Sequence, residues 1–197
     1  MSHQVVNCAV YPAINYEAYR PEFEGYASNV YSQFGEDGLI ERLFEIGGTK
    51  NRECFEFGAA DGIFCSNTRH LCENGWHGAW IEENETLYTM LRCHKPDSVF
   101  SIRGKVTPET VDVMLAACGV EPGIDFGVID VDGTDFDIWK AMTLEPRGLL
   151  IEYRSGKSLS LDVLDNMIVY GESRGYEPVA RTFCNLLLGK KEMFDGE

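Results

Sequence analysis

The stretch "VIDVDGTDFDIW", residues 128 to 139, decides the fold, because it reads as two unrelated catalytic devices at once. D-x-D-G-T behind an apolar strand is the nucleophile motif of aspartate-dependent phosphatases, in which the first carboxylate attacks phosphorus. An aspartate ending a mid-chain strand also suits an open α/β sheet, where ligands sit against the carboxyl ends of the strands. The flanking segments separate the two.

Strand and helix signals alternate along most of the chain. Leu39, Ile40, Leu43, Phe44 and Ile46 form a helical stripe that stops at Gly47-Gly48. "ECFEFGA" reads as a first strand, "SNTRHLCENG" as a short helix, "HGAWIEEN" as a second strand and "ETLYTMLRCH" as a helix. "SVFSIRGKV" is a third strand, followed by the helix "TPETVDVMLAACG" with Thr107 as N-cap, Pro108 in its first turn and Gly119 beyond its end. "IDFGVIDV" is the fourth strand, "DFDIWKAM" a helix, "RGLLIEY" a fifth strand and "SLDVLDNMIVYGESRG" a long helix. "YEPVARTFCNLLLGKKEM" supplies two strands turning near Cys184-Asn185. The expected fold is α/β: a mainly parallel seven-stranded sheet, helices on both faces, and an antiparallel pair at its C-terminal edge.

A chain of 197 residues fits one domain. Residues 1–30 carry Tyr11, Pro12, Tyr16, Tyr19, Pro21, Phe23 and Tyr26, which suggest an aromatic arm that caps a site or mediates dimerisation; residues 31–197 form the domain proper. The start, "MSHQVVNCAVYPAINYEAYRPEF", has no basic head before an apolar block, so a cytoplasmic address is expected. No apolar run approaches the ~20 residues of a membrane span. Seven cysteines without paired spacing read as reduced thiols. The net charge of −15 repels phosphate backbones and points away from a nucleic-acid polymer, toward a small or neutral substrate. A homodimer is the expectation from base rates.

Two places carry ligand chemistry. Between the first strand and its helix, Glu56 to Gly62 form a small-residue turn in which Gly58 and Gly62 admit a close backbone approach, although no glycine stands at position 60 to complete a dinucleotide fingerprint. The second strand ends in Glu82 and Glu83, about twenty residues after that turn, where an acid can accept both hydroxyls of a ribose. Glu83 and Glu85 suit a helix start better than Glu82 does.

The ordered set "YSQFGEDGLIERLF", "FEFGAADG", "SNTRHLCENGWHGAWIEEN", "VTPETV", "FGVIDVDGTDFDIWKAM" and "LLIEY" resembles the FkbM-like S-adenosylmethionine-dependent methyltransferases over roughly residues 31 to 190. The resemblance implies a Rossmann-like class I methyltransferase fold with S-adenosyl-L-methionine as cofactor. It implies that Glu56, Gly58, Ala60 and Asp61 line the methionine and ribose side, and that Glu82 meets the ribose hydroxyls. Gln33 and the Asn67-Thr68 pair would meet the cofactor carboxylate, and Gly104, Lys105 and Val106 would flank the adenine. Related members carry Asn after the "EY" of the fifth strand, where this chain has Arg154.

A phosphatase motif belongs near the start of its domain, whereas here three strands precede it and Asp162 and Asp165 fall inside a helix. A calcium loop fails because Gly133 is fourth from Asp130, not sixth, and Ala141 stands where a glutamate is required. "GKS" at 156 to 158 lacks the upstream glycine of a phosphate loop, since Ile151 stands there. Cys65, His70, Cys72 and His77 lack zinc spacing, and Trp76, Trp80 and Trp139 read as core.

As the end of a central strand, Asp130 projects toward an acceptor and is the preferred base, with Asp132 and Glu152 as alternates. Asp132, Gly133 and Asp135 also suit a plain turn and helix N-cap. A divalent ion on Asp130 and Asp132 is the less favoured option, and no metal ligand set is assigned. The expected activity is methylation of an oxygen, with nitrogen second, of a small molecule or sugar. The alternatives are a magnesium-dependent phosphatase or a catalytically idle cofactor-binding protein. Arg103, Lys105, Lys140, Arg154 and Lys157 leave room for an anionic acceptor.

Overall fold

The structure, a computed structural model, describes residues 15–154 and 161–195. Eight strands form one sheet: β1 (Glu17–Ala18), β2 (Glu53–Phe57), β3 (His77–Glu82), β4 (Val99–Arg103), β5 (Phe126–Ile129), β6 (Gly148–Glu152), β7 (Tyr176–Arg181) and β8 (Asn185–Lys190). Their order is β1-β7-β8-β6-β5-β2-β3-β4. The helices are α1 (Glu36–Gly47), α2 (Arg69–Glu73), α3 (Glu85–His94), α4 (Val111–Ala117), α5 (Asp135–Ala141) and α6 (Leu161–Ser173). The expected α/β sheet with helices on both faces is what the chain forms.

Alternation along the strands explains the layers. Cys54 of β2, Val128 of β5 and Leu150 of β6 face one core with Leu39, Ile40 and Leu43 of α1, Leu71 of α2 and Leu91 of α3. Their neighbours Phe55, Phe57, Ile129, Leu149 and Ile151 face the other core with Leu115 of α4, Ile138 and Trp139 of α5 and Met167 of α6. All residues of β5 and β6 are buried, as central parallel strands covered on both sides require.

Three details depart from the sequence expectation. The C-terminal strands form the expected antiparallel pair, but the later one lies inside: β8 sits between β6 and β7 and runs antiparallel to both. Its run Leu186, Leu187 and Leu188 is fully buried and needs a strand on each side, whereas β7 carries Pro178 and a register irregularity suited to a more peripheral position. An eighth strand appears because Glu17 and Ala18 pair antiparallel with β7. Finally, Thr107 does not cap α4. Thr110 N–H and Val111 N–H donate to the Thr107 carbonyl, closing a turn that delays the helix to Val111.

The described part of the expected arm lies along this edge. Phe23 is completely buried in the α1 core, and Tyr16 packs against the same cluster. Tyr11 and Pro12 lie outside the described residues.

At the amino ends of the strands, Asp125 ties the loop before β2 to the segment before β6. Its carboxylate accepts from the N–H groups of Lys50, Asn51 and Arg52 at 2.8 to 2.9 Å, and from the Arg147 guanidinium at 2.8 Å. Arg147 also donates to the carbonyls of Gly47 and Gly48. Burial alone would raise the Asp125 carboxyl, but Arg147 and the three N–H donors hold it below the ordinary range. Arg147→Ala leaves Asp125 buried and short of its cation, so a loss of about 3–5 kcal/mol is expected in urea unfolding. A loss under about 1 kcal/mol contradicts this role.

Candidate active site

The order reverses at β2: the chain passes from β2 to β3 and β4 on one side and later returns to β5 on the other. A crevice opens where such loops part company. It holds a cavity of about 600 Å³, within the range of small-molecule sites.

Gly58 fixes the crevice. It has φ +73°, and a Cβ there would lie 1.8 Å from the Asp130 carbonyl oxygen, so only glycine lets the β2 turn pass the end of β5. The turn is held by Gly58 N–H to the Ile81 carbonyl at 3.0 Å. Ala60, at φ +48°, directs its N–H to Glu82 Oε2 at 2.9 Å. Asn84 N–H donates to Glu82 Oε1 at 2.6 Å, so the Glu82 carboxylate is clamped between the turns after β2 and β3. Gly104, Lys105 and Val106 line the same end, with Ile81 and Leu87 as apolar walls.

Glu56 is almost fully buried and lines the cavity from β2. It accepts from Asn67 N–H and Ser66 Oγ, each at 2.8 Å, and from Thr68 Oγ1. Thr68 Oγ1 accepts in turn from Trp80 Nε1 at 2.7 Å. Burial raises the Glu56 carboxyl against these donors. Gln33 also lines the cavity, carried by a loop whose Val30, Tyr31 and Ser32 N–H groups all donate to Asp37 Oδ2.

Asp130, Asp132 and Glu152 meet at the other end. Burial pushes the Asp130 carboxyl up to about 8, followed by the charges of Asp135, Asp132, Glu56 and Glu36. Glu152 rises to about 9, by burial and then by Asp130, Asp135 and Asp132. Asp132 is exposed at φ +61°. Asp135 makes the turn: it accepts from Val131 and Gly133 N–H at 2.7 and 2.8 Å, while Thr134 takes the N-cap position without a side-chain bond.

Most of the sequence-expected residues line this cavity, but three do not. Asp61 instead accepts from Ile63 and Phe64 N–H, an aspartate turn that shapes the loop. Asn67 and Thr68 serve Glu56 from behind the wall. Sequence reading missed Ser66, Phe64 and Cys184, which do line it. Ser66 stands one place before the Asn-Thr pair and was within reach of inspection. Cys184 arrives on the turn between β7 and β8, with nothing local to announce it.

Of the cations expected to serve an anionic acceptor, Arg103 pairs with Glu85, Lys105 with Glu83 and Lys140 with Asp137. Arg154 stacks on Phe183 at 3.9 Å from the ring centroid. Lys157 and the "GKS" segment lie outside the described residues. Among the described residues no group of three or more His, Cys, Asp or Glu is placed to hold a metal ion. His70 bonds Glu41, and Trp76, Trp80 and Trp139 are buried in the core. Among the described residues no helix is long and apolar enough to cross a membrane.

Comparison with known proteins identifies the fold. A Staphylococcus aureus protein assigned as a caffeoyl-CoA O-methyltransferase superposes with a TM-score of 0.54 at 18% identity, over 82% of this chain and 84% of that one. Monomeric WbdD gives 0.57 at 15% identity, over 91% of this chain and 46% of that one. Fibrillarin complexed with Nop5p gives 0.51 at 12% identity, over 84% and 90%. No protein-family model and no curated protein matches the chain. The fold is thus the Rossmann-like class I methyltransferase fold. In it the D-x-D-G-T segment follows β2, β3 and β4, and Asp162 and Asp165 lie within α6, so the phosphatase match lacks its context.

The acid-rich end sets a pH dependence. The unfolded chain ionises Glu152 from about 4.5, the folded chain only near 9, so ionisation favours unfolding increasingly between those values. Glu152→Gln removes that penalty. Relative to the native protein, its melting temperature is expected to gain with pH from 5 to 9. The gain at pH 9 should reach at least the roughly 2–4 °C that 1 kcal/mol produces in a chain of this size. An equal difference at both pH values contradicts the assignment.

Proposed function

We propose that the protein is an S-adenosylmethionine-dependent methyltransferase of the FkbM-like kind that methylates an oxygen of a small molecule or sugar. The observation that carries this reading is the Glu82 carboxylate, held between the two turn amides of Ala60 and Asn84 on one wall of the crevice. An acid at the end of the strand beside the glycine turn is suited to the paired hydroxyls of a ribose. The described residues fit the remainder of the cofactor: apolar Ile81, Leu87 and Val106 for the adenine, and Gly58, Ala60, Glu56 and Gln33 along the path to Asp130.

S-adenosylmethionine, when bound, supplies an electrophilic methyl group on a sulfonium. The chain's own contribution is alignment, exclusion of water and removal of the acceptor proton. Asp130, with its carboxyl near 8, is poised close to neutral pH, where a general base gains most. The acceptor lies toward β6, beside Glu152. A protein with O-methyltransferase in its name shares the fold, which agrees with oxygen as the acceptor atom.

Calorimetric titration with S-adenosylhomocysteine tests the cofactor reading. The native protein is expected to bind, and Glu82→Ala to bind at least about tenfold more weakly, a difference of roughly 1.4 kcal/mol. No heat with native protein overturns the proposal. Asp130→Asn is expected to keep that affinity and lose roughly 10²–10⁴-fold in turnover, the usual contribution of a general base. Binding without turnover across a broad panel of hydroxyl and amine acceptors would leave a cofactor-holding protein that transfers nothing.

A further inference from the structure

The carboxyl groups around the cavity divide into two kinds. Glu56, Glu82 and Asp135 each accept two or more hydrogen bonds from the protein. Glu152 does not: it is 9% exposed, lines the cavity, and its Oε2 is buried without a hydrogen-bond partner. Such an atom is costly unless something completes it, because removal from water forfeits its hydration. The charged groups that act on Glu152 are Asp130 at the end of β5 and Asp132 and Asp135 in the turn and start of α5, and every one is an acid. On the remaining sides, Glu36 of α1 and the Cys184 thiol of the β7–β8 turn stand in the same electrostatic neighbourhood. Arg154, two residues on from Glu152, is stacked on Phe183. Among the described residues, then, no Lys or Arg forms an ion pair with Glu152, Asp130, Asp132 or Asp135.

We infer that Glu152 is the acceptor-recognition residue of this site, and that the acceptor carries a protonated amine which supplies the hydrogen-bond donor and positive charge the β5–β6 end lacks. The inference rests on the methyltransferase reading for which end of the cavity belongs to the acceptor. The cofactor's sulfonium brings one positive charge, and on that reading it belongs over Asp130. Glu152 stands one strand further from the adenosine end, so its partner must come with the acceptor. An ammonium nitrogen has no lone pair and cannot itself take a methyl group. The amine therefore anchors the molecule while a neighbouring hydroxyl is methylated, which makes the substrate class amino alcohols and amino sugars.

Proton balance follows. With carboxyls near 8 and 9, Asp130 and Glu152 carry protons at pH 7 in the ligand-free protein. An ammonium entering beside Glu152 favours the carboxylate, and the displaced proton passes to the buffer.

The test uses matched pairs, glucosamine against glucose and benzylamine against benzyl alcohol, titrated into the protein at pH 7 with and without saturating S-adenosylhomocysteine. Each amine is expected to bind at least tenfold more tightly than its hydroxyl counterpart, with the preference lost in Glu152→Gln. Equal affinity within both pairs, or a preference that survives Glu152→Gln, overturns the inference. If that variant does not fold, calorimetry of the native protein in phosphate and in MOPS, two buffers of different ionisation enthalpy that carry no primary amine, decides. Net proton release on amine binding supports the site, and its absence overturns it. The S-adenosylhomocysteine titration of the same samples stands apart. S-adenosylhomocysteine binding without amine preference removes this inference alone, whereas amine preference without that binding retains the subsite and removes the methyl-transfer reading.

Discussion

Buried carboxylates accepting backbone N–H groups hold the loops of this protein in place, and the site depends on that device. A loop that must be both rigid and open to a ligand cannot satisfy its amides with a neighbouring strand, and unsatisfied buried amides are expensive. Here side-chain acids do it instead. Asp37 gathers three successive N–H groups and sets the loop that carries Gln33; Glu82 joins the turns after β2 and β3; Asp135 closes the turn after β5. Asp125 repeats the pattern at the far end of the sheet. Bonds of this charged kind are roughly twice as strong as neutral ones, so a few of them fix each turn.

This changes the meaning of the net charge of −15. A surplus of acid reads from composition as a solubility device and as a reason to exclude nucleic acid. Part of it is internal scaffolding. Glu36 shows the same use across the longest separation in the site: its carboxylate accepts from Phe34 N–H, from Thr182 Oγ1 and from the Asn185 amide. That network ties the start of α1 to the β7–β8 turn, and so brings Gln33 and Cys184 to the lining of one cavity.

Much of the fold was legible because its signals are local. Alternating apolar strands, the Gly47-Gly48 stop and the glycine turn after β2 all depend on neighbours within a few residues. Glu82 and Gly104 to Val106 were legible as well, because in a parallel sheet the position of a strand end fixes what can stand there. What escaped is what tertiary contact decides. The insertion of β8 between β6 and β7 depends on burying three leucines on both sides, and β1 exists only because β7 offers it an edge. Asp61 was expected in the cavity for its place in the motif, yet its carboxylate has two adjacent amides to serve and turns to them. Thr68 is spent on a relay from Trp80 to Glu56, which no spacing rule foretells.

The contrast between the two ends of the cavity gives the site its direction. At the β3–β4 end, charge is balanced on the spot: Glu82 by amides, Glu83 by Lys105 and Glu85 by Arg103, beside apolar Ile81 and Val106. That end suits an uncharged planar base and a sugar. At the β5–β6 end, acids are packed beside acids, and protonation relieves only part of their repulsion. A cleft polarised in this way orients any ligand that is neutral at one end and cationic at the other before close contacts form, because the field acts at longer range than hydrogen bonds do. The proposed cofactor has that polarity, and the proposed acceptor extends it by one strand, so on that proposal the acids crowded at the β5–β6 end are the groups that would place donor and acceptor in line.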